Sequence, residues 1–534
     1  MVKHRSPDCA GRRGLGRQLP AAAVQGWLSC LVGGAVLLFV GLAQGCFASG
    51  QLGGFDDNDG FAEEVDEAGT EDPADLLQLV RGLRIASVTI SQAVAIDVLR
   101  DGVELLEPTA PLIAEREALV RVFVEPGAGW TPRSVKGELL WRSGVDEWTL
   151  SEERLVSVSS QAQGPETTFD FQLPAAALTV DASFSLSLWE QREVVENQEP
   201  ADSDGARWPE QGEHLLEVRA EGGALRVVLL PIRYEDDGSR RVPNIDAEML
   251  QAIADRLYQL YPLRELELTV ADPASSDVEL RPDGTGWSEL LSDLRSVRSE
   301  RDIPFDSYVH ALVNPADSMA EYCPTGCVAG LGYRVEDPGA ADSKVSVGTG
   351  FEATRSARSL VHELAHLHDR GHASCGQVPN PDLNFPYAGG LIGVEGFDVL
   401  TGTRLDPNQY ADFLSYCPDL WVSDYTFTAL HERIAAVEAL RLGREARPRQ
   451  SYLSFAVAGD GSLSFEGHGY FSWERPDPDW RVQFLDRTGQ AVATADASFL
   501  RFSDLPGGTL LVPTPEREVA ALRIGRRSYS LAPW

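Results

Sequence analysis

His362-Glu363-Leu364-Ala365-His366-Leu367-His368-Asp369-Arg370-Gly371-His372 places four of the chain's nine histidines within eleven residues. In a helix, residues four apart are separated by one turn plus about 40°, so His362 and His366 project from one face toward a shared point. A hydrolytic zinc needs neutral nitrogen donors, three protein ligands and an open position, where bound water falls to a pKa of roughly 7. Glu363, beside that point, is placed to take the water's proton and hand it to a leaving amine. The third donor cannot come from the same helix face, so His372 implies a chain reversal after Leu367. His368, two residues past His366, leaves from another face and reads as a solvated or supporting histidine.

The pattern H-E-x-x-H-x-x-G-x-x-H resembles that of the metzincin zinc endopeptidases, matched here at all three histidines and the glutamate. The chain departs from it at the glycine, where Asp369 stands and Gly371 follows two residues on. Aspartate tolerates the left-handed backbone region better than most residues. The family's second hallmark, a tight turn carrying Met with Tyr two residues later, is resembled by Asp412-Phe413-Leu414-Ser415-Tyr416-Cys417. Leu414 takes the methionine place, and none of the three methionines, Met1, Met249 and Met319, follows the zinc motif. The resemblance implies one catalytic Zn2+ on His362, His366 and His372, Glu363 as general base, Tyr416 as a ligand of the resting zinc or as oxyanion donor, and Leu414 as the hydrophobic floor beneath the ion. It also implies an extended substrate along an edge strand, for which 328–333 and 344–347 both qualify. A thermolysin-like site would instead draw a later glutamate, and Glu395 is the nearest, but its flanking glycines disfavour a helix.

Outward from the motif, the zinc helix is expected over 352–367, and the resemblance extends over roughly 225–445. Leu225 to Ile232 reads as a strand. Asn244 then serves as N-cap to a helix with Leu250, Ile253, Leu257 and Leu260 at helical spacing, stopped by Pro262. Strands at 266–270 and 308–313 alternate with a helix over 287–297, as in an α/β layer. Phe427, Leu430, Ile434 and Val437 mark a late helix closed by Gly443. Residues 83–224 read as a β-sandwich, with Phe184, Leu186 and Leu188 alternating with serines, Ala118–Val124 as a buried strand, and 197–212 as a long polar loop. Residues 449–534 return to β alternation around Leu453, Phe455 and Val457 and read as a second small sandwich.

The N-terminus joins a basic start to an uncharged run from Trp27 to Ala43, which reads as an export signal over 1–46. Leu42-Ala43-Gln44-Gly45-Cys46 resembles a lipobox, making Cys46 a lipidation candidate. Residues 47–82 form an acidic, glycine-rich stretch suited to a flexible linker. Four further cysteines, Cys323, Cys327, Cys375 and Cys417, make an even number suited to disulfides in an oxidising compartment. If Cys375 pairs with Cys417, the bridge ties the third-ligand loop to the Leu414 turn, and Cys323 with Cys327 would be local. A four-cysteine zinc site is the weaker alternative. The net charge of −35 disfavours nucleic acid and anionic lipid as partners.

The sequence thus predicts a multidomain chain, an α/β metzincin-like catalytic domain flanked by all-β sandwich-like domains. The expected function is exported, zinc-dependent hydrolysis of peptide bonds in extracellular proteins or glycoproteins. The chain is expected as a monomer, secreted or held at the cell surface or outer membrane through a lipid or N-terminal anchor. The alternative is a surface binding or adhesion lipoprotein with a degenerate core.

Overall fold

Alternating apolar residues early in the chain produce two facing sheets. A computed structural model describes residues 77–531 apart from 163, 165–166, 192–201, 444–447 and 478. The expected export signal, Cys46 and most of the acidic linker lie outside the described residues. The linker ends earlier than expected, because Leu77–Leu79 already pairs with Trp189–Gln191. One sheet is built on Leu83–Ser91, Ala95–Arg100, Ala118–Pro126 and Thr168–Leu173, and the other on Arg133–Ser143, Asp146–Val156 and Ser183–Gln191. Val88, Ile90, Val122, Trp141, Phe169 and Phe184 are buried, as inward positions of a two-sheet packing are. Part of the expected 197–212 loop is strand instead: Arg207–Trp208 pairs with Leu186 and Ser187. Aromatic packing draws it in, since Trp208 lies 5.5 Å from Phe184 and 4.8 Å from His214 between ring centroids.

The next segment alternates strands and helices. β1 (Ala224–Tyr234), α1 (Ala247–Leu260), β2 (Glu265–Val270), α2 (Trp287–Glu300), β3 (Ser307–Val313), β4 (Gly330–Arg334), β5 (Val345–Thr349), α3 (Ala353–Leu367) and α4 (Asp424–Gly443) follow in chain order. β2, β1, β3 and β5 are parallel neighbours, and β4 closes this set antiparallel to β5. Every residue of β3 and β5 is buried, as expected of parallel strands covered on both faces. The α1 N-cap is Asp246 rather than Asn244: Asp246 accepts from Met249 N at 3.0 Å, and Asn244 instead donates to Asp246 Oδ2 at 2.7 Å. β5 is an interior strand, so of the two substrate-edge candidates only the one containing β4 lies on the outer side.

That outer side is occupied. The last part of the chain supplies β6 (Arg449–Val457), β7 (Leu463–Ser472), β8 (Ser498–Phe502) and β9 (Gly508–Pro513). β8 pairs antiparallel with β4, Tyr333 opposite Phe502 and Arg334 opposite Arg501. The sheet therefore runs on in the order β2-β1-β3-β5-β4-β8-β9-β6-β7. A separate sheet of Arg481–Leu485, Ala491–Asp496, Ala521–Ile524 and Arg527–Ser530 covers the far end, enclosing Leu453, Phe455, Phe484, Leu510 and Leu522. Among the described residues no helix is long and apolar enough to cross a membrane.

A buried cation helps key the N-terminal sheets to the central segment. The Arg116 guanidinium is fully enclosed and donates to four carbonyls: Tyr258 at 2.5 Å, Tyr261 at 3.1 Å, Leu263 at 3.2 Å and Gln92 at 3.0 Å. Three of these belong to the end of α1, where unpaired carbonyls and the helix dipole favour positive charge. Arg116→Met should strip these buried acceptors of their hydrogen bonds to the guanidinium and lower unfolding stability by about 2–4 kcal/mol. Denaturant titration followed by tryptophan fluorescence would measure it, and an unchanged midpoint would show that the cation is dispensable.

Candidate metal centre

α3 is set against the sheet by Leu360, Val361, Leu364 and Ala365, all buried. Its start is tied by Ser356 Oγ donating to Thr349 O at 2.9 Å, and its middle by the buried Tyr261 hydroxyl donating to Val361 O at 2.9 Å. This leaves His362 and His366 on the opposite face, their ring centroids 4.8 Å apart. The helix then stops in a Schellman turn. Asp369 N donates to His366 O at 2.8 Å and Arg370 N to Ala365 O at 3.0 Å, with Asp369 at φ +62°. The position at which the family pattern carries glycine is thus the left-handed residue of the helix stop. Aspartate holds it here with its carboxylate 3.1 Å from Arg334 Nη2 and 4.0 Å from Arg433 Nη2.

The turn aims His372 back at the helix, its ring 5.3 Å from His362 and 4.6 Å from His366. Each imidazole is fixed through Nδ1 by a main-chain carbonyl: His362 to Phe413 O at 3.0 Å, His366 to Arg370 O at 2.7 Å, and His372 to Pro379 O at 2.7 Å. A carbonyl only accepts, so each Nδ1 must carry hydrogen and each neutral ring presents a bare Nε2. The Nε2 atoms of His362 and His366 face one another at 3.1 Å. Burial, and then the two neighbouring imidazoles, push His366 well below the ordinary histidine range, keeping it in the form that can ligate.

Beneath the histidines lies the expected turn. Ser415 N donates to Asp412 O at 3.0 Å, Leu414 is buried, and Phe413 supplies the acceptor for His362. Ala373 N bonds to Leu414 O at 3.1 Å and Tyr416 N to Cys375 O at 3.0 Å, so the third-ligand loop and the turn run side by side. The Cys375–Cys417 disulfide closes this pair, and Cys323–Cys327 forms a local bridge before β4. The four-cysteine metal site is thereby excluded. Tyr416 is 48 % exposed and its ring lies 5.4 Å from that of His372. Glu363 is buried under Gly330, where an added Cβ would collide with its carboxylate and come within 2.8 Å of Ser359 Oγ. Burial, and next the charge of Asp504, raise the Glu363 carboxyl well above the usual carboxylate range.

Asp504, which the sequence did not single out, completes the cluster. It sits at the tip of the β8–β9 hairpin, 9 % exposed, with Oδ1 3.1 Å from His372 Nε2 and 3.7 Å from His362 Nε2, and Oδ2 3.8 Å from His366 Nε2. One ligand atom from each of His362, His366, His372 and Asp504 lies within 4.8 Å of the others, a set that can hold a metal ion. Ligands at 2.0–2.1 Å in tetrahedral array lie about 3.4 Å apart, against 3.1, 3.1 and 3.7 Å for three pairs here and no more than 4.8 Å across the whole set. Asp504 Oδ2 is buried without a hydrogen-bond partner among the described residues, and a cation at the centre would satisfy both it and the facing nitrogens.

Two other residues fall outside the cluster. Glu395 pairs with Arg121 at 2.6 Å, ending the thermolysin-like alternative. His368 is not solvated but fully buried: Nδ1 donates to Leu364 O at 2.7 Å, and the ring stacks on Tyr308 at 4.5 Å. It packs behind α3, and burial pushes it down to about 3. Alanine at His362, His366 or His372 should abolish stoichiometric metal binding. His368→Ala should keep it and cost about 2–4 kcal/mol of stability through the cavity left behind. Metal analysis alongside thermal unfolding separates the two classes, and metal loss with unchanged stability in His368→Ala would contradict this placement.

No protein-family model matches the chain, and no characterised protein aligns with it significantly.

Proposed function

We propose that the chain is a zinc-dependent endopeptidase of metzincin type, and the observation that carries this reading is the three carbonyl-anchored imidazoles presenting bare Nε2 atoms beside a buried glutamate. Three neutral nitrogens favour zinc over calcium or magnesium, which take oxygen ligands. Bound there, zinc would supply Lewis acidity and an acidified water. His362, His366 and His372 hold the ion and keep their tautomer through the Nδ1 bonds. Glu363, next to His362 in the chain and enclosed by Gly330 and Gly332, receives the proton of the attacking water and returns it to the departing amine. Tyr416, with its hydroxyl turned into the cluster, donates to the oxyanion of the tetrahedral intermediate. No side chain becomes acylated in this scheme.

The disulfides fit export, the sequence-based signal fits it too, and the substrates are extended peptides in extracellular proteins or glycoproteins. The adhesion reading gains nothing from the site: all three histidines and the glutamate are present and oriented, and the replacements at Asp369 and Leu414 are accommodated by an Arg334 contact and by full burial.

The test is a peptide-library digest by the zinc-loaded native chain and by an Asp504→Ala form, each with and without chelator. Chelator-sensitive cleavage should appear, with Glu363→Gln in the same background keeping the metal and losing most of the rate. Tyr416→Phe should lose less, about 2.7–4 kcal/mol of transition-state stabilisation at most. Zinc-loaded forms that cleave nothing would sink the reading.

A further inference from the structure

The dipeptide Ser503-Asp504 engages every group that hydrolysis requires. Ser503 Oγ donates to Glu363 Oε2 at 3.0 Å and accepts from Gly332 N at 2.9 Å, while Ser503 N donates to Gly332 O at 2.9 Å. Asp504 places one carboxylate oxygen among the three Nε2 atoms and accepts a hydrogen bond from the Tyr416 hydroxyl. Base, ligand set and oxyanion donor are therefore each occupied by two consecutive residues of a different module.

The residues before and after them extend the contact along the cleft. Phe502 and Arg501 pair with Tyr333 and Arg334 on the outer edge of β4, and the Phe502 ring stacks on Tyr333 at 5.7 Å. Leu505 lies over Gly284 beside Val328, where a Cβ on Gly284 would meet its Cδ2 at 2.9 Å. An extended peptide docking on β4 by main-chain pairing would need this same edge. The hairpin that presents these residues is built to hold its shape: Phe502 N donates to Gly507 O at 3.2 Å, and Gly507 takes φ +103° with Val457 O where a Cβ would stand.

We propose that the C-terminal module is an inhibitor in cis, with Asp504 as a fourth protein ligand that fills the water position while β8 fills the substrate edge of β4. Four protein ligands make a closed site, and a catalytic site needs an open one. The inference rests on the hydrolase reading for its functional meaning, but the ligand assignment stands apart from it. The geometric basis of the assignment is that one Asp504 oxygen lies within 4.8 Å of all three Nε2 atoms, with Oδ2 buried 3.8 Å from His366 Nε2.

The full chain, its Asp504→Ala form and its Asp504→Asn form would be loaded with Co2+ alone and their visible absorption bands compared. Zinc affinity would be measured by competition with a chromogenic chelator, and peptide hydrolysis at saturating zinc. Both variants should shift the cobalt bands, weaken zinc by roughly 10- to 100-fold, and raise hydrolysis by about tenfold or more as the competent state ceases to be a minor one. The asparagine form preserves the shape of the hairpin tip and keeps the test valid should alanine unfold it. Unchanged cobalt bands and zinc affinity in both variants would overturn the assignment, as would a native chain that hydrolyses peptide as fast as they do. Shifted bands and weakened zinc with no hydrolysis by any form would uphold Asp504 as the ligand that closes the site and would instead remove the hydrolase reading.

Discussion

Three hydrogen bonds from imidazole Nδ1 to main-chain carbonyls are the constraint on which the site depends. The carbonyls belong to Arg370 and Pro379, at two points of the loop after α3, and to Phe413 on the later turn, so the orientation of each ring reports the placement of a separate point of the chain. The Schellman turn at Asp369 delivers Arg370 O, the Asp412 turn delivers Phe413 O, and the loop beyond His372 delivers Pro379 O. Buried carboxylate chemistry holds the second of these: Asp412 accepts from Leu414 N at 3.0 Å and from Ser423 N at 3.0 Å. The Cys375–Cys417 bridge then restricts how far the His372 loop and this turn can separate in the unfolded chain. The cost of the arrangement is electrostatic. Bare nitrogens at 3.1 Å repel, and a cation at their centre would offset that repulsion.

The parts of this site that were legible in the sequence are those encoded within one helix and its stop. His362 and His366 at a spacing of four, Glu363 between them and His372 past a reversal follow from helix geometry, and the structure brings all four together. Leu414 and Tyr416 were legible through the family resemblance, and the cysteine pairing through an even count plus proximity to the motif. Asp504 was not legible. It lies 132 residues beyond His372 in Ser503-Asp504-Leu505-Pro506-Gly507-Gly508, a composition that any tight turn could carry. Only the continuation of the central sheet through β4 into β8 brings it near, and strand partners at that separation leave no periodic signal. The burial of His368 was hidden for a related reason: helix periodicity assigns a face but does not say whether a neighbouring element covers it. The same limit explains Asn244 and Asp246, two acceptable caps two residues apart, between which only the register of α1 on its neighbours decides.

The flanking modules differ in how they join the centre. The N-terminal sheets meet it through polar keys, Arg116 at the end of α1 and Arg121 with Glu395, together with Trp421 Nε1 donating to Ala93 O at 2.7 Å. The C-terminal module shares its sheet and adds a buried polar seam, in which Asp342 N bonds to Ser472 Oγ at 3.2 Å and Ser343 Oγ to Glu474 Oε1 at 2.5 Å. Arg295 lies under the Phe471 ring at 4.2 Å in the same seam. The seam thus joins the module both to α2, through Arg295, and to the turn before β5, through Asp342 and Ser343.

The hairpin tip is a different matter. Among the described residues, the polar contacts between the tip and the histidine cluster come from Ser503 and Asp504, through Gly332, Glu363, Tyr416 and the three histidines, and β8 meets β4 across two residue pairs. The rest of the module is held elsewhere, by the seam on α2 and by its own core around Leu453, Phe455 and Leu510. Local openings follow the fewest broken contacts rather than the size of the attached domain. Lifting the tip would break a handful of hydrogen bonds and, on the proposed ligation, one metal–carboxylate contact, whereas lifting the module would expose the seam and its buried charges. If the proposed inhibition holds, a peptide competing for the outer edge of β4 would face the weaker of the two attachments, and the strength of Asp504 as a ligand would decide how much of that competition it loses.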